Sequence, residues 1–262
     1  TFGDLDFKKK YALGAVNSIN WARVLAQVVY YFYAWGQVRK KTGSHKVYFS
    51  VPTGNFGDIF AGYIAKRMGL PVEKLVLATN ANNILSRFVN DGDYSIGEVH
   101  PTHSPSMDIQ NASNLERYLF YLFKEDSKKL TAAMQQFSST GKLSFSAEQI
   151  AEINEIFISA SVDNEQTLET IKNFHEATGY VLDPHTATGV KAGKDLSGGE
   201  YPVICLATAH PAKFPDAVHE AIGKDPERPA SLDGLESREK RCEIIEAKTD
   251  TVKSYLAQNA LT

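Results

Sequence analysis

Residues 52 to 58, PTGNFGD, place two glycines three positions apart in a loop between an apolar run and a helical pattern. The first N–H groups of a helix have no partner within the helix, and the helix dipole makes that end positive. Because glycine lets the backbone approach a bound group closely, the pattern predicts an anion site, typically for phosphate. A tight strand-to-helix turn without a ligand has the same pattern, and both interpretations stay open on this motif alone.

The nucleotide-binding motifs match this loop poorly. No Lys-Ser/Thr pair follows the glycines, which excludes a Walker A loop, and the dinucleotide fingerprint lacks its third glycine and its acidic residue. A nucleotide-dependent dehydrogenase is therefore disfavoured. We expect Thr53 and Asn55 to add side-chain donors to the loop, and Asp58 to cap the following helix or to hydrogen-bond the loop.

Two further segments carry polar groups where ligands bind. In VICLATAHPAKFPDAV, residues 203 to 218, an apolar strand ends at Thr208, whose hydroxyl can face a ligand ring or cap the next helix. In YVLDPHTATGV, residues 180 to 190, Asp183 is expected to cap a helix that begins at Pro184. His185 can be catalytic, but a histidine beside a helix cap is more often structural, and we favour that interpretation.

A polar cluster lies at the start of a strongly apolar helical pattern over residues 18 to 39. Its members are Asn17, Ser18, Asn20 and Arg23. One interpretation is a helix cap, with Ser18 as the N-cap, beside a surface arginine. The other is a pocket for a substrate anion, because a guanidinium binds phosphate or carboxylate through paired hydrogen bonds.

The elements around these motifs alternate. Patterns predict strands at 46–52, 74–79 and about 202–207, and helices at 58–68, 82–90 and from about Pro211. Strand-helix alternation predicts an α/β fold with a mostly parallel sheet covered by helices. The segment from about 114 to 180 is expected to be a helical insertion, with helices at 114–124, 127–137, 146–159 and 164–178.

Composition excludes several classes. The 262 residues are 43% hydrophobic with a net charge of -3, so neither nucleic acid nor a membrane is expected as a partner. Neither Cys205 nor Cys242 has a metal ligand at the usual spacing, so no metal site is predicted and a reducing, cytoplasmic setting is expected. Residues 1–222 are assigned to a catalytic domain, and residues 223–262 to a linker and a helical tail.

Five segments, in order along nearly the whole chain, resemble the threonine synthases of the fungal and enterobacterial type. They are GAVNSINWARVLAQVVYYFYA, VPTGNFGDIFAGYIAKRMGLP, SPSMDIQNASNLERYLFYL, LDPHTATGV and TAHPAKFPDAV. The resemblance implies a tryptophan-synthase-β-like fold (fold type II) that binds pyridoxal 5′-phosphate. It implies a carbon–oxygen lyase of threonine biosynthesis that converts O-phospho-L-homoserine and water into L-threonine and phosphate.

The resemblance also implies roles for single residues. It places Gly54, Asn55, Phe56, Gly57 and Asp58 around the cofactor phosphate and Thr208 beside the pyridine nitrogen. It suggests Asn17, Ser18, Asn20 and Arg23 as neighbours of the substrate. His210 and Lys213 follow the same strand without an assigned role.

The sequence departs from the family at the Schiff-base lysine, which the family carries in an FKD-like motif before the NSINWAR stretch. Lys8, Lys9 and Lys10 stand in another context. The chain, which begins at Thr1, is therefore expected to be a C-terminal fragment that is inactive alone and contains no catalytic residue. The alternatives are a phospholyase that makes a keto acid and a non-catalytic module that binds a phosphate ligand.

Overall fold

The structure, a computed structural model, describes residues 1–15, 17–240 and 242–260. The chain divides into two compact units, one of residues 18–227 and one of residues 1–17 with 228–262. The domain boundary predicted after residue 222 stays a prediction. Among the described residues, no helix has both the length and the apolarity that a bilayer crossing requires.

Helices and strands follow one another along the chain with these bounds. The α-helices are α1 (Leu5–Lys10), α2 (Trp21–Thr42), α3 (Gly57–Arg67), α4 (Ile84–Asp91), α5 (Leu115–Leu122), α6 (Ser127–Thr140), α7 (Ala147–Ile156), α8 (Asn164–Thr178), α9 (Pro184–Leu196), α10 (Pro215–Ile222) and α11 (Thr249–Asn259). The strands are β1 (Val47–Pro52), β2 (Val72–Thr79), β3 (Asp93–Ser95), β4 (Lys142–Ser144), β5 (Phe157–Ser161) and β6 (Val203–Cys205). Short 3₁₀ turns span Pro105–Met107, Pro211–Lys213, Ala230–Leu232 and Leu235–Ser237.

Four strands form a parallel sheet in the order β5-β2-β1-β6. Ser50 of β1 lies opposite Val76 of β2 on one side and Cys205 of β6 on the other. The small strands β3 and β4 pair antiparallel apart from this sheet. The predicted α/β class with a mostly parallel sheet and covering helices is therefore confirmed.

Alternate residues of β2 point to opposite faces of the sheet, and both faces are covered. Leu75 and Leu77 belong to the larger core with α2, α3, α4 and α5, whereas Val76 and Ala78 pack with Ala192 of α9. Side chains of a strand alternate between faces, so a strand covered on both sides is apolar at nearly every position. This explains the continuous apolar run LVLA, residues 75–78, in β2.

Helix α9 lies close to β1 because two of its glycines face the strand. A Cβ atom on Gly189 would stand 3.0 Å from the Pro52 ring, and one on Gly193 would stand 2.9 Å from Ser50 Cβ. The Ser50 hydroxyl donates a hydrogen bond to the Gly189 carbonyl at 2.5 Å. This close packing brings the start of α9, at Pro184, to the end of the sheet where β1 stops.

One predicted helix is wrong in its last three residues. The pattern over residues 146–159 was interpreted as one helix, but α7 ends at Ile156 and β5 follows at Phe157. The interval 114–180 is thus mostly helical, yet it also supplies an edge strand of the central sheet. Pairing with β2 decides this, since residues 157–161 run parallel to residues 75–79 and the Ser159 hydroxyl donates to the Leu77 carbonyl at 2.7 Å.

The smaller unit contains α1 and α11. Asp4 caps α1 by accepting a hydrogen bond from the Phe7 N–H at 3.0 Å. The same carboxylate pairs with Lys253 of α11 at 2.7 Å, and the Lys253 ammonium lies 5.5 Å from the centre of the Phe7 ring. These contacts join residues from opposite ends of the sequence within this unit.

Candidate active site

The glycine-bearing loop follows β1, and Thr208 follows the neighbouring strand β6. Parallel strands end at the same edge of a sheet, so both segments meet there, where open α/β sheets bind their ligands. They enclose a cavity of about 200 Å³. Its lining residues are Ser18, Arg23, Gln27, Pro52, Thr53, Gly54, Asn55, Phe56, Gly57, Asp58, Ile59 and Thr208.

The loop offers unpaired backbone donors to this cavity. Within the described residues, no acceptor receives a hydrogen bond from the N–H groups of residues 54 to 58. Helix α3 begins at Gly57, so the positive end of its dipole points the same way. Several free N–H groups at a helix start form a site for an anion such as phosphate.

The loop is held from outside by two other segments. The backbone N–H and the side-chain amide of Asn114 both donate to the Asn55 carbonyl, each at 3.0 Å. The Ser106 carbonyl lies against Gly54, where an added Cβ atom would stand only 2.8 Å from it. Phe56 adopts a left-handed φ of 63° between these supports. The Thr53 hydroxyl was expected to serve a ligand, but it donates to the Val51 carbonyl at 2.7 Å.

Asp58 does not cap α3, contrary to expectation. The N-cap position belongs to Phe56, and no side chain of the described residues caps this helix. The Asp58 carboxylate instead accepts a hydrogen bond from the Tyr31 hydroxyl at 3.2 Å, and its carbonyl accepts another from that hydroxyl at 2.8 Å. Burial of the carboxyl group raises the pKa of Asp58 to about 6, and the Tyr31 bond lowers it only in part.

Thr208 lines the cavity and caps no helix. Its N–H donates to the Thr186 hydroxyl at 3.3 Å, whereas the following 3₁₀ turn is capped by the His210 side chain, which accepts from the Ala212 N–H at 3.1 Å. Of the two interpretations of Thr208, the helix cap is thus wrong. His210 and Lys213 are both exposed.

The polar cluster before α2 divides between several places. Ser18 and the exposed Arg23 line the cavity. Asn20, not Ser18, is the N-cap of α2, and its side chain accepts from the Ala22 N–H at 2.9 Å. Asn17 falls in the other compact unit. The structure therefore brings Ser18 and Arg23 to the glycine loop and gives Asn20 a capping contact.

Asp183 caps α9 as predicted, and His185 is buried with both ring nitrogens in hydrogen bonds. Asp183 accepts from the His185 N–H at 2.9 Å, and Pro184 is the first helical residue. The His185 ring contacts Asp183 through Nδ1 at 3.0 Å and accepts from the Ser106 N–H through Nε2 at 3.2 Å. These contacts agree with the structural interpretation of His185.

Comparison with known proteins assigns the family. The family model for the C-terminal part of threonine synthase matches residues 186–256. The curated threonine synthase of Pseudomonas aeruginosa is 46% identical over 99% of this chain. This chain belongs to the threonine synthase family. It spans about half the length of the curated relatives it matches, 55% in the case of the Pseudomonas protein.

Solved structures of the family have the same fold. A threonine synthase from Brucella melitensis, solved with bound pyridoxal phosphate, is 44% identical, with a TM-score of 0.90 over 100% of this chain and 56% of that one. The yeast threonine synthase is 41% identical, with a TM-score of 0.85 over 94% of this chain and 53% of that one. The tryptophan-synthase-β-like class predicted from the sequence is confirmed. The family also includes a human relative named threonine synthase-like 2, 39% identical over 93% of this chain and 51% of its own length.

Three supports of this threonine synthase family site escaped the sequence analysis. Asn114 was predicted only as a helix start, Tyr31 only as part of an apolar helix, and Thr186 was not singled out. Each acts through a long-range contact, which no local pattern shows. The sole sequence signal was that all three residues lie in segments that resemble the family.

A larger hollow of about 560 Å³ lies away from the glycine loop, between α3, α5 and α7. Its cations are engaged within the protein: Lys124 pairs with Glu152 at 2.6 Å, and Lys66 donates to the Glu73 carbonyl at 3.0 Å. The Arg67 guanidinium lies 4.2 Å from the centre of the Tyr121 ring. We assign the site to the smaller cavity because free N–H donors, a hydroxyl and a guanidinium converge there.

Proposed function

We propose that the intact protein containing this chain is a threonine synthase, which converts O-phospho-L-homoserine and water into L-threonine and phosphate. The observation that carries the proposal is the cavity at the ends of β1 and β6, where the loop of residues 54–58 presents unpaired N–H groups. The identity of 46% to a threonine synthase over nearly the whole chain supports the same reaction. Pyridoxal 5′-phosphate is the cofactor we assign to the cavity.

The residues present suit this cofactor. Gly54, Asn55, Phe56, Gly57 and Asp58 form the loop whose backbone would bind the 5′-phosphate. Thr208 would lie beside the pyridine nitrogen, and a neutral hydroxyl there leaves that nitrogen largely unprotonated, unlike a carboxylate. When bound, pyridoxal phosphate supplies the electron sink for the negative charge that develops on the substrate.

Substrate recognition is assigned to the polar cluster before α2. Arg23 and Ser18 lie on the cavity, and a guanidinium suits the phosphate or the carboxylate of O-phospho-L-homoserine. Asn17 and Asn20 remain predicted substrate neighbours. We assign no catalytic residue within this chain.

No lysine is among the described residues that line the cavity. The absence of the Schiff-base lysine from this chain stays a prediction, and so does the inactivity of the chain alone. Borohydride reduction with pyridoxal phosphate, followed by peptide mapping, tests both. In this polypeptide alone we expect that reduction labels no specific lysine. In the intact protein we expect one labelled lysine, outside residues 1–262. Stoichiometric labelling of a lysine within residues 1–262 would contradict the prediction.

The proposed reaction is tested by incubating the intact protein with O-phospho-L-homoserine and pyridoxal phosphate. We expect phosphate and L-threonine in equal amounts. Arg23→Met should raise KM for O-phospho-L-homoserine by about tenfold or more, because it removes a charged hydrogen-bond donor. Lys213→Met is the matched control, since Lys213 is exposed and does not line the cavity. Absence of both products from the intact protein would contradict the proposal.

A second candidate is a phospholyase that converts O-phospho-L-homoserine and water into phosphate, ammonia and the keto acid 2-oxobutanoate. One relative, a human protein 39% identical over 93% of this chain, is named threonine synthase-like 2, and that name specifies no reaction. The same assay separates the two, since the phospholyase forms 2-oxobutanoate in place of L-threonine. A non-catalytic module that binds a phosphate ligand would bind pyridoxal phosphate without forming either product.

We further propose a cytoplasmic location, with neither nucleic acid nor membrane as partner.

A further inference from the structure

Asp183, together with His185 and Thr186, forms a cluster that we call the Asp183 bracket. We propose that the Asp183 bracket positions both ends of the cofactor site, through His185 at the phosphate loop and through Thr186 at Thr208. This inference rests on the proposed function and assigns to three residues a positioning role that a helix cap alone does not require.

The first arm runs through His185. The buried ring accepts a hydrogen bond from the Ser106 N–H through Nε2, at 3.2 Å. Because Nε2 is an acceptor, the neutral ring carries its proton on Nδ1 and donates it to Asp183 at 3.0 Å. Ser106 in turn lies against Gly54, the first glycine of the phosphate loop. Asp183 thus orients the His185 ring, and the His185 ring holds the Ser106 segment that packs against this loop.

The second arm runs through Thr186. Its hydroxyl donates to the second carboxylate oxygen of Asp183, so a lone pair of that hydroxyl is left for the Thr208 N–H at 3.3 Å. Thr208 lines the cavity. The Asp183 carboxylate therefore fixes both bonds: the Thr186 hydroxyl donates to Asp183 and accepts from Thr208, the residue assigned to the pyridine nitrogen.

Helix capping does not account for these contacts. Asp183 satisfies the cap with the N–H groups of His185 and Thr186, at 2.9 and 3.4 Å. The two carboxylate oxygens of Asp183 also accept hydrogen bonds from the side chains of His185 and Thr186. Each of these side chains in turn accepts a hydrogen bond from the backbone N–H of a distant segment. The side chain of Asp183 is fully buried. Burial raises its pKa, but the hydrogen bonds from His185 and Thr186 outweigh this and hold the pKa below the usual range.

Paired variants of the intact protein test the two arms. His185→Phe removes the acceptor for Ser106, whereas His185→Gln keeps an acceptor at a similar distance. Thr186→Val removes the hydroxyl, whereas Thr186→Ser keeps it. Thr167→Val is the control, because the buried Thr167 hydroxyl donates to the carbonyl of Asp163, the N-cap of its own helix α8.

The first readout is amide hydrogen exchange without ligand. We expect His185→Phe to speed exchange in residues 104–108 and Thr186→Val to speed it in residues 206–210, each leaving the other segment unchanged. His185→Gln and Thr186→Ser should restore most of the protection, and Thr167→Val should alter neither segment. Asp183→Ala should speed both segments, because it removes both carboxylate oxygens, one of which accepts from each arm.

The second readout is binding of inorganic phosphate and of pyridoxal phosphate. We expect His185→Phe to weaken phosphate binding about fivefold, the loss of about one hydrogen bond in the loop's support. Thr186→Val should leave phosphate binding within twofold, while it shifts the pH dependence of the absorbance of bound pyridoxal phosphate.

The outcomes separate the two proposals. If the unsubstituted intact protein binds neither phosphate nor pyridoxal phosphate, the proposed function is overturned, and the role of the bracket at a cofactor site is overturned with it. If the unsubstituted protein binds both ligands but the two arms respond identically, or neither segment responds, the bracket alone is overturned. A response of each arm at its own end supports the bracket.

Discussion

At position 54 the absence of a side chain is a spatial requirement. A Cβ atom there would stand 2.8 Å from the Ser106 carbonyl, closer than real Cβ contacts allow. Both partners are backbone, so the loop or the Ser106 segment must move. We expect Gly54→Ala to weaken the binding of inorganic phosphate to the intact protein by at least about tenfold, measured by calorimetry.

Gly36→Ala is the matched control for Gly54→Ala. Gly36 lies inside α2, and a Cβ atom there meets nothing within 4 Å. This change should leave phosphate binding unaltered and stabilise the protein by about 0.5–1 kcal/mol, because alanine favours a helix over glycine. Equal phosphate affinity in Gly54→Ala and Gly36→Ala would show that the loop does not bind the anion.

Asp58 should make stability depend on pH. Its pKa is raised to about 6 by burial, so the folded state holds a proton that the unfolded state releases at lower pH. The free energy of unfolding therefore falls as the pH rises from about 4 to about 6. Asp58→Asn removes this contribution and should flatten the fall. Urea denaturation of both proteins at pH 4, 5, 6 and 7 measures it, and parallel curves would contradict the assignment.

At the scale of elements, the contact of α9 with β1 depends on glycine. A Cβ atom on Gly193 would stand 2.9 Å from both Ser50 Cβ and Val203 Cγ1. We expect Gly193→Ala to push α9 from the sheet and to lower the free energy of unfolding by about 1–3 kcal/mol. Gly36→Ala again serves as the control, in the same urea titration. Unchanged stability of the Gly193 variant would mean that the helix has room to shift.

Element type followed from local pattern in most of the sheet and failed at β5. The strands β1 and β2 were predicted because apolar runs bounded by turn residues are typical of strands covered on both faces. Residues 157–161, FISAS, continue an apolar helical spacing, and only their pairing with β2 makes them a strand. Residue 157 is therefore the position where a tertiary contact overrode the local pattern.

At the scale of the whole molecule, one face of α2 is apolar and exposed. Its residues include Trp21, Leu25, Val29 and Tyr33, with 44%, 54%, 63% and 68% of their surface accessible. Contiguous exposed apolar surface binds hydrophobic dyes and promotes association. We expect this polypeptide, expressed by itself, to bind anilinonaphthalene sulfonate strongly.

The double variant Leu25→Glu, Val29→Glu should reduce that dye fluorescence severalfold and shift the sedimentation profile toward the monomer. Gln37→Glu, also exposed on α2, is the control for added charge. If the double variant and the control give equal fluorescence, the dye binds elsewhere and the face of α2 is not the source.

The sequence by itself determined the α/β class, the glycine loop and the family. Each depends on local spacing or on ordered motifs, which are properties of neighbouring residues. It also placed Thr208 at the end of a strand and Asp183 at a helix start, because both positions carry strong local signals.

Only the tertiary structure decided how those residues meet. The pairing of β6 beside β1 brings Thr208 to the glycine loop. Asn114 donates to Asn55 from 59 residues away, and Tyr31 donates to Asp58 from 27 residues away. Ser106 packs against Gly54. Asp58 had a plausible local role in the sequence, as the cap of α3. In the folded chain its carboxylate is buried and accepts a hydrogen bond from the Tyr31 hydroxyl, 27 residues away, which no local pattern encodes.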